Sequence, residues 1–158
     1  MAYTIRFFAT LAAITFALAT NAQLIDKKSL TLEAAQKIAA ASLAEARANN
    51  LNLVIAIVDD GGHLITLSRM ETAQYGSIDV AIAKAKTAAA FRRPTKLFEE
   101  MAKSRPTLAT IANASLLEGG VPIIHNGQVI GAVGISGATA QQDTQVAETG
   151  INSLGLTR

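Results

Sequence analysis

Residues 53–70 read LVIAIVDDGGHLITLSRM, and this stretch decides the fold. Leu53–Val58 is an unbroken apolar run, too short for a helix of ordinary length and rich in β-branched residues. It is predicted to be a strand buried on both faces. Asp59-Asp60-Gly61-Gly62 is a turn, since Asp-Gly between apolar runs is a hairpin signal. His63–Met70 returns as a second strand, with Ile65, Leu67 and Arg69 on one face and Leu64, Thr66 and Ser68 on the other. A tight hairpin means antiparallel pairing, which excludes a doubly wound parallel sheet.

The same signal recurs downstream. Val121–His125 and Gln128–Ile135 flank Asn126-Gly127, so they are predicted to form a second hairpin. Gly131 and Gly134 inside the last strand mark a bulge or a close approach of another backbone or a ligand. Helices fill the rest. Thr31 caps one that runs to about Asn49, with Leu32, Ala35, Ala39, Leu43 and Ala46 on its inner face. Ser77 is predicted to cap another, whose stripe of Ile78, Ala81, Ala85 and Ala89 leaves little bulk and lets neighbouring backbone come close. Pro94 breaks the pattern. Thr95–Lys103 and Thr107–Ser115 read as two short helices or turns around Pro106. Thr139 with Gln142 forms a capping box for a last helix ending near Leu154. The order is α-β-β-α-(short α)-β-β-α, an α+β single domain.

Residues 1–22 are expected to be a signal peptide. Arg6 supplies the positive n-region, Phe7–Ala19 is an apolar run shorter than the roughly 20 residues a membrane span needs, and Ala22 precedes the expected cut. The remaining residues, 23–158, suit one domain. The expected location is periplasmic or secreted.

Composition removes several function classes. Formal net charge falls from +2 to +1 once Arg6 leaves, too little to point to nucleic acid or an anionic membrane surface. The chain has no cysteine, which excludes disulfides, thiolate metal sites, thiol nucleophiles and covalent haem attachment. It has no tryptophan and 4% aromatic residues, so a base-stacking platform is not expected. With only two histidines, a structural zinc site of the usual kind is not expected either.

A few residues carry chemistry, each with a plain structural alternative. His63 opens the second strand and is either a surface residue or an axial ligand for haem iron or another metal. His125 sits at the edge of the Asn-Gly turn. Asp59 and Asp60 are either paired carboxylates or servants of their turn. Arg69 is suited to hold a carboxylate in a bidentate pair, with Glu71 or Asp79 as intramolecular competitors. Lys84 and Lys86 are expected to be solvated, with a partly buried lysine as base or anion clamp the alternative. Arg92 and Arg93 form a basic corner that suits a propionate or simply faces solvent. The glycines of residues 119–137 do not match a nucleotide-binding loop, and there is no Gly-x-Ser-x-Gly elbow. Asn113-Ala114-Ser115 is a glycosylation sequon, meaningful only in a eukaryotic secretory host. The residues by themselves reach an exported small-ligand-binding domain and do not choose the ligand.

From Leu30 onward the chain resembles the GlcG/HbpS family, which includes the C-terminal domain of PduO-type proteins. The resemblance is carried by LTLEAAQKI (30–38), IVDDGGHLITLSRM (57–70), SIDVAIAKAKTAAAFRRPT (77–95), EGGVPI (118–123) and GQVIGAVGISGATAQQDTQVAETG (127–150). Asp59, Gly61, Gly62, His63, Arg69, Lys84, Thr95, Gly119, Gly120 and Ser136 stand where the family pattern has them. The resemblance implies a profilin-like fold with a five-stranded antiparallel sheet, so beyond the four strands read above a short fifth one lies either near Ser115–Leu117 or in a stretch not read as a strand. It also implies homo-oligomers, and for exported members it implies haem binding and a link to redox sensing.

The leading expectation is therefore an exported haem-binding protein. Ile65, Leu67 and Val133 would wall the haem, and His63 would be its axial ligand, ahead of Tyr75, Met70 and His125. Arg69 and Lys84 are the remaining cofactor-binding candidates. An alternative is an enzyme on a small carboxylate or hydroxy acid, with Arg69 orienting it and Lys84 or His63 moving a proton. Another is a non-catalytic partner of a membrane sensor or transport system.

Overall fold

The computed structural model describes residues 25–156. The expected signal peptide, residues 1–22, lies outside them. The elements are α1 (Leu32–Ala48), β1 (Val54–Asp59), β2 (Leu64–Arg69), α2 (Ser77–Phe91), α3 (Lys96–Ser104), a 3-10 turn (Pro106–Thr110), β3 (Gly120–His125), β4 (Gln128–Ser136) and α4 (Ala140–Asn152). The strands form one antiparallel sheet in the order β2-β1-β4-β3. The protein is an α+β single domain, as its two hairpins require.

β1 and β4 are the central pair, and this is why Val54–Val58 is fully buried without alternation. Paired residues share a face, so Ile55 and Ile57 sit with Ile135 and Val133, while Ala56 sits with Gly134. The second set faces α2. A methyl group added at Gly134 would overlap the Ala81 carbonyl, so helix and sheet meet backbone to backbone. The close approach inferred from the glycines and the alanine stripe is this contact. One bulge lies in β4 itself, where Ile130 is the extra residue between Gly131 and Val129 opposite Ile123 and Ile124, so Gly131 borders a bulge as its position in the strand implied; the other is at Ile65 of β2, opposite Ile57 and Val58.

The opposite face carries the bulky side chains and is covered by Leu30, α1 and α4. Gly131 lies against Leu30. α1 and α4 pack on each other, with Ser42 Oγ donating to the Val146 carbonyl at 3.2 Å where Gly150 leaves room. Full burial of each such Ile, Val or Leu contributes roughly 1.5–3 kcal/mol.

Capping follows the sequence at two of three helices. Thr31 Oγ1 accepts from Ala34 N, and Thr139 and Gln142 form the reciprocal box. Ser77 does not cap α2; Gly76 holds that position, and Ser77 is buried as the first helical residue. Leu32, assigned to the inner face of α1, is exposed at the first helical position. Asn126 and Gly127 both have positive φ, the geometry of a two-residue hairpin turn.

The sheet has four strands among the described residues, not five. Residues 115–117 form no strand, and the N–H groups of Ser115, Leu117 and the following Glu118 are spent on side chains. Ser115 N donates to Thr87 Oγ1 at 2.8 Å, Leu117 N to Ser115 Oγ at 3.3 Å, and Glu118 N to Glu99 Oε2 at 2.6 Å. These bonds stand in place of a ladder.

Candidate functional site

The β1–β2 turn is built around Asp59. Its Oδ1 accepts from Gly61 N at 2.9 Å and His63 N at 2.8 Å, so the carboxylate serves the turn. Its Oδ2 lies 3.3 Å from His63 Nδ1. The carboxylate stands beside one ring nitrogen at ion-pair distance, which leaves the other nitrogen available as a metal ligand. The ring is 83% exposed, and its Nε2 has no partner among the described residues. Asp60 points the other way, into an ion pair with Lys27, which holds its carboxyl below the usual range.

Beyond His63, β2 runs along an open edge. α2 packs on β1, β4 and β3 and leaves β2 uncovered on that side. Ile65 and Leu67 are therefore only half-buried. Lys86 lies against Gly62, and Ile82 and Ile78 share its helical face, so α2 borders this strip with apolar residues. At the far end, Arg69 donates to the carbonyls of Glu71 at 3.3 Å and Ala73 at 3.5 Å. Its guanidinium also stacks 5.1 Å from the centre of the Tyr75 ring, which is 79% exposed. The expected competitors, the Glu71 and Asp79 carboxylates, do not hold it; a backbone loop and an aromatic face do. His63 and Arg69 bracket the strip about 20 Å apart along the strand. Met70 is buried, with its sulfur 3.4 Å from Leu53 N, and is spent on the core.

Lys84 corrects the sequence reading. It is not solvated: its side chain is 4% exposed. Nζ donates to Asp143 Oδ2 and to the Ile135 carbonyl, both at 2.8 Å. Burial pushes the Asp143 carboxyl above its ordinary value, against the pull of the Lys84 ammonium and the Ala138 N–H. Gly119 leaves the space that Lys84 Nζ occupies. Lys84 and Arg69 do not converge on a common pocket, so the paired roles assigned to them as an enzyme are not brought together. His125 lies at the opposite edge of the sheet from His63, roughly 14 Å away across three strand spacings. Its Nδ1 is buried and has no hydrogen-bond partner among the described residues.

A cavity of about 420 Å³ opens at that opposite edge, between β3 and the C-terminal turns of α2 and α4. It includes Arg92 and Arg93, the basic corner singled out in the sequence. The cavity itself was illegible there, because it is made by three elements far apart in the chain. Among the described residues no three His, Asp or Glu side chains gather into a metal-holding group. A group that brings its own equatorial ligands, as haem does, needs only one such side chain. The donor His63 and the half-buried apolar strip beside it fit that requirement.

Fold and site thus define a single-domain α+β protein with an oriented, unspent histidine on one sheet edge and a cationic cavity on the other. The chain belongs to the HbpS-like family, whose model, described as "Haem degrading protein HbpS-like", matches residues 30–152. It is 46% identical to protein GlcG of Escherichia coli over 108 residues, 68% of this chain and 81% of GlcG. Its fold is similar to that of a double mutant of HbpS from Streptomyces reticuli, with a TM-score of 0.80 and 31% identity, covering 95% of this chain and 99% of that one. It is also similar to the protein of a PduOC:Heme complex, with a TM-score of 0.75 and 25% identity, covering 82% and 97%.

Proposed function

We propose that this chain is an exported haem-binding protein that holds haem on the open face of β2, between copies of itself. The observation that carries the reading is His63, whose Nδ1 lies 3.3 Å from the Asp59 carboxylate while Nε2 stands unspent at the start of the strand that carries Ile65 and Leu67. His63 Nε2 would hold the iron, the apolar strip would cover the macrocycle, and Arg69 would meet a propionate of the same or a neighbouring haem. Tyr75 keeps the Arg69 guanidinium in place. Bound there, haem supplies an iron able to take up a small ligand or an electron. A ring as exposed as His63 leaves haem half in water on a single chain, so a second copy closes the site. Lys84 is excluded from contact by its burial, and His125 is a ligand only in the event that His63 is not. Support also comes from similarity to the PduOC:Heme complex. The biological role that suits such a protein is haem handling or redox sensing outside the cytoplasm, with a membrane sensor as its partner.

Titration of residues 23–158 with haemin, followed at the Soret band, tests this reading. A red-shifted band that saturates and is lost in His63→Ala but kept in His125→Ala is the expected result. A spectrum that only adds to that of free haemin, or a band indifferent to His63, overturns it. Light scattering with and without haemin reads the oligomer. N-terminal sequencing of exported protein reads the cut before Gln23.

A further inference from the structure

We infer that the cavity at the β3 edge is a second binding site, separate from the haem face, for a small organic carboxylate with an apolar body. Its volume, about 420 Å³, lies in the range of small-molecule sites. Its wall is made by Val121, Pro122 and Ile124 from β3 and by Ile151 and Leu156 at the end of α4. Arg92 and Arg93 both line it, and neither forms an ion pair among the described residues. Two arginines without ion-pair partners beside an apolar wall suit an amphiphilic anion, since a guanidinium fork can bind a carboxylate through two hydrogen bonds. Glu148, also without an ion-pair partner, stands at the same cavity and disfavours multiply charged anions.

The backbone that delivers the arginines is itself unusual. α2 ends with Arg92 in the left-handed region, φ 55° and ψ 36°. Glycine ends a helix this way freely, whereas an arginine there is strained. The turn carries Arg92 and Arg93 to the cavity mouth, with Pro94 beside them.

The outer edge of β3 also decides what kind of molecule fits. An added strand would need the edge N–H groups in series. Gly120, whose N–H and carbonyl point outward, is already bonded to Thr95: Gly120 N donates to Thr95 Oγ1 at 2.8 Å, and Thr95 N donates to the Gly120 carbonyl at 2.9 Å. The next outward residue is Pro122, which has no N–H to give. A peptide or a second copy cannot zip onto this edge, so the occupant is a compact molecule held by its charge and its apolar body.

The test is calorimetric titration of residues 23–158 with sodium octanoate, with inorganic phosphate as the second probe. Saturable octanoate binding, weakened roughly tenfold or more in Arg92→Gln/Arg93→Gln, is the expected result. Ile151→Asp should weaken it as well. Arg92→Gly separates binding from folding: it relieves the left-handed residue, so the Tm should hold or rise while octanoate affinity falls. His63→Ala should leave octanoate binding intact, and Arg92→Gln/Arg93→Gln should leave the haem Soret titration intact. No saturable octanoate binding, or binding indifferent to the arginines, overturns the site. Phosphate binding as well as octanoate overturns the carboxylate class. Loss of the haem band with the arginines overturns its separateness.

Discussion

Lys84 on α2 and Asp143 on α4 meet through the open end of the sheet, ammonium to carboxylate at 2.8 Å, with both side chains almost fully buried. α2 covers one face of the sheet and α4 the other. The pair therefore ties the two outer layers together at the start of β3, where Gly119 leaves it room. The Ile135 carbonyl takes a second ammonium proton, and the Ala138 N–H supports the second carboxylate oxygen.

Removing one partner should cost far more than removing both. Lys84→Met strands a buried carboxylate, with an expected loss of about 3–5 kcal/mol. Lys84→Met/Asp143→Leu should recover much of that loss. Urea denaturation of the two single variants and the double variant measures the coupling, and simple additivity would show the residues to be independent.

Two glycine replacements should separate packing from backbone freedom. Gly134→Ala drives a methyl into the Ala81 carbonyl and the Ala85 amide, so a loss of roughly 1–3 kcal/mol or more is expected. Gly76→Ala meets nothing and keeps an ordinary φ of −61°, so its effect should stay within about 0.5 kcal/mol. Thermal melts compare them, and equal shifts would contradict the backbone-to-backbone contact of α2 with β4.

Asp59 should link turn stability to haem affinity. Asp59→Ala removes the acceptor for two N–H groups and the brace of His63, and about 1–2 kcal/mol of stability should go with it. Asp59→Asn keeps an acceptor for the turn but loses the charge beside Nδ1. Its melt should lie near wild type while haemin binding weakens. Unchanged haemin binding in both variants would remove Asp59 from the site.

The acid limb of stability should be shaped by Asp60 and not by Asp143. The Asp60 carboxyl is held below its ordinary value, chiefly by its hydrogen bond to Lys27. Its contribution is present above the ordinary carboxylate range and is lost as pH falls through the lowered folded value. Asp143 is raised by burial, so acidification through its folded value favours the native state. Lys27→Met should thus be less stable than wild type near neutrality, with the gap closing as pH falls below the ordinary carboxylate range. A gap that stays constant with pH would assign the effect of Lys27 to something other than Asp60.

Much of this architecture was legible because it rests on local rules. Leu53–Val58 reads as a central strand since only a strand covered on both faces is apolar at every position. The Asp-Gly and Asn-Gly turns fix antiparallel pairing, and Thr31 and Thr139 mark helix starts through their hydroxyls. His63, Arg69 and Tyr75 were found as residue types at turn and strand ends, and all three are exposed at one sheet edge. Residues 115–117 differ from the expectation because strand propensity says nothing of Thr87 and Glu99, whose side chains accept from Ser115 N and Glu118 N. Lys84 misled because a lysine in an alanine-rich helix reads as solvated unless its partner, 59 residues away, is known.

The sequence by itself determined the elements, their antiparallel pairing and the family, since periodicity, turn residues and caps act over a few neighbouring positions. Only the tertiary structure decided which face of β2 stays open, that Lys84 is spent on Asp143, and that Arg92 and Arg93 overlook a cavity. Each of these depends on burial and on partners distant in the chain, and burial is a property of packed layers that no short stretch of residues contains.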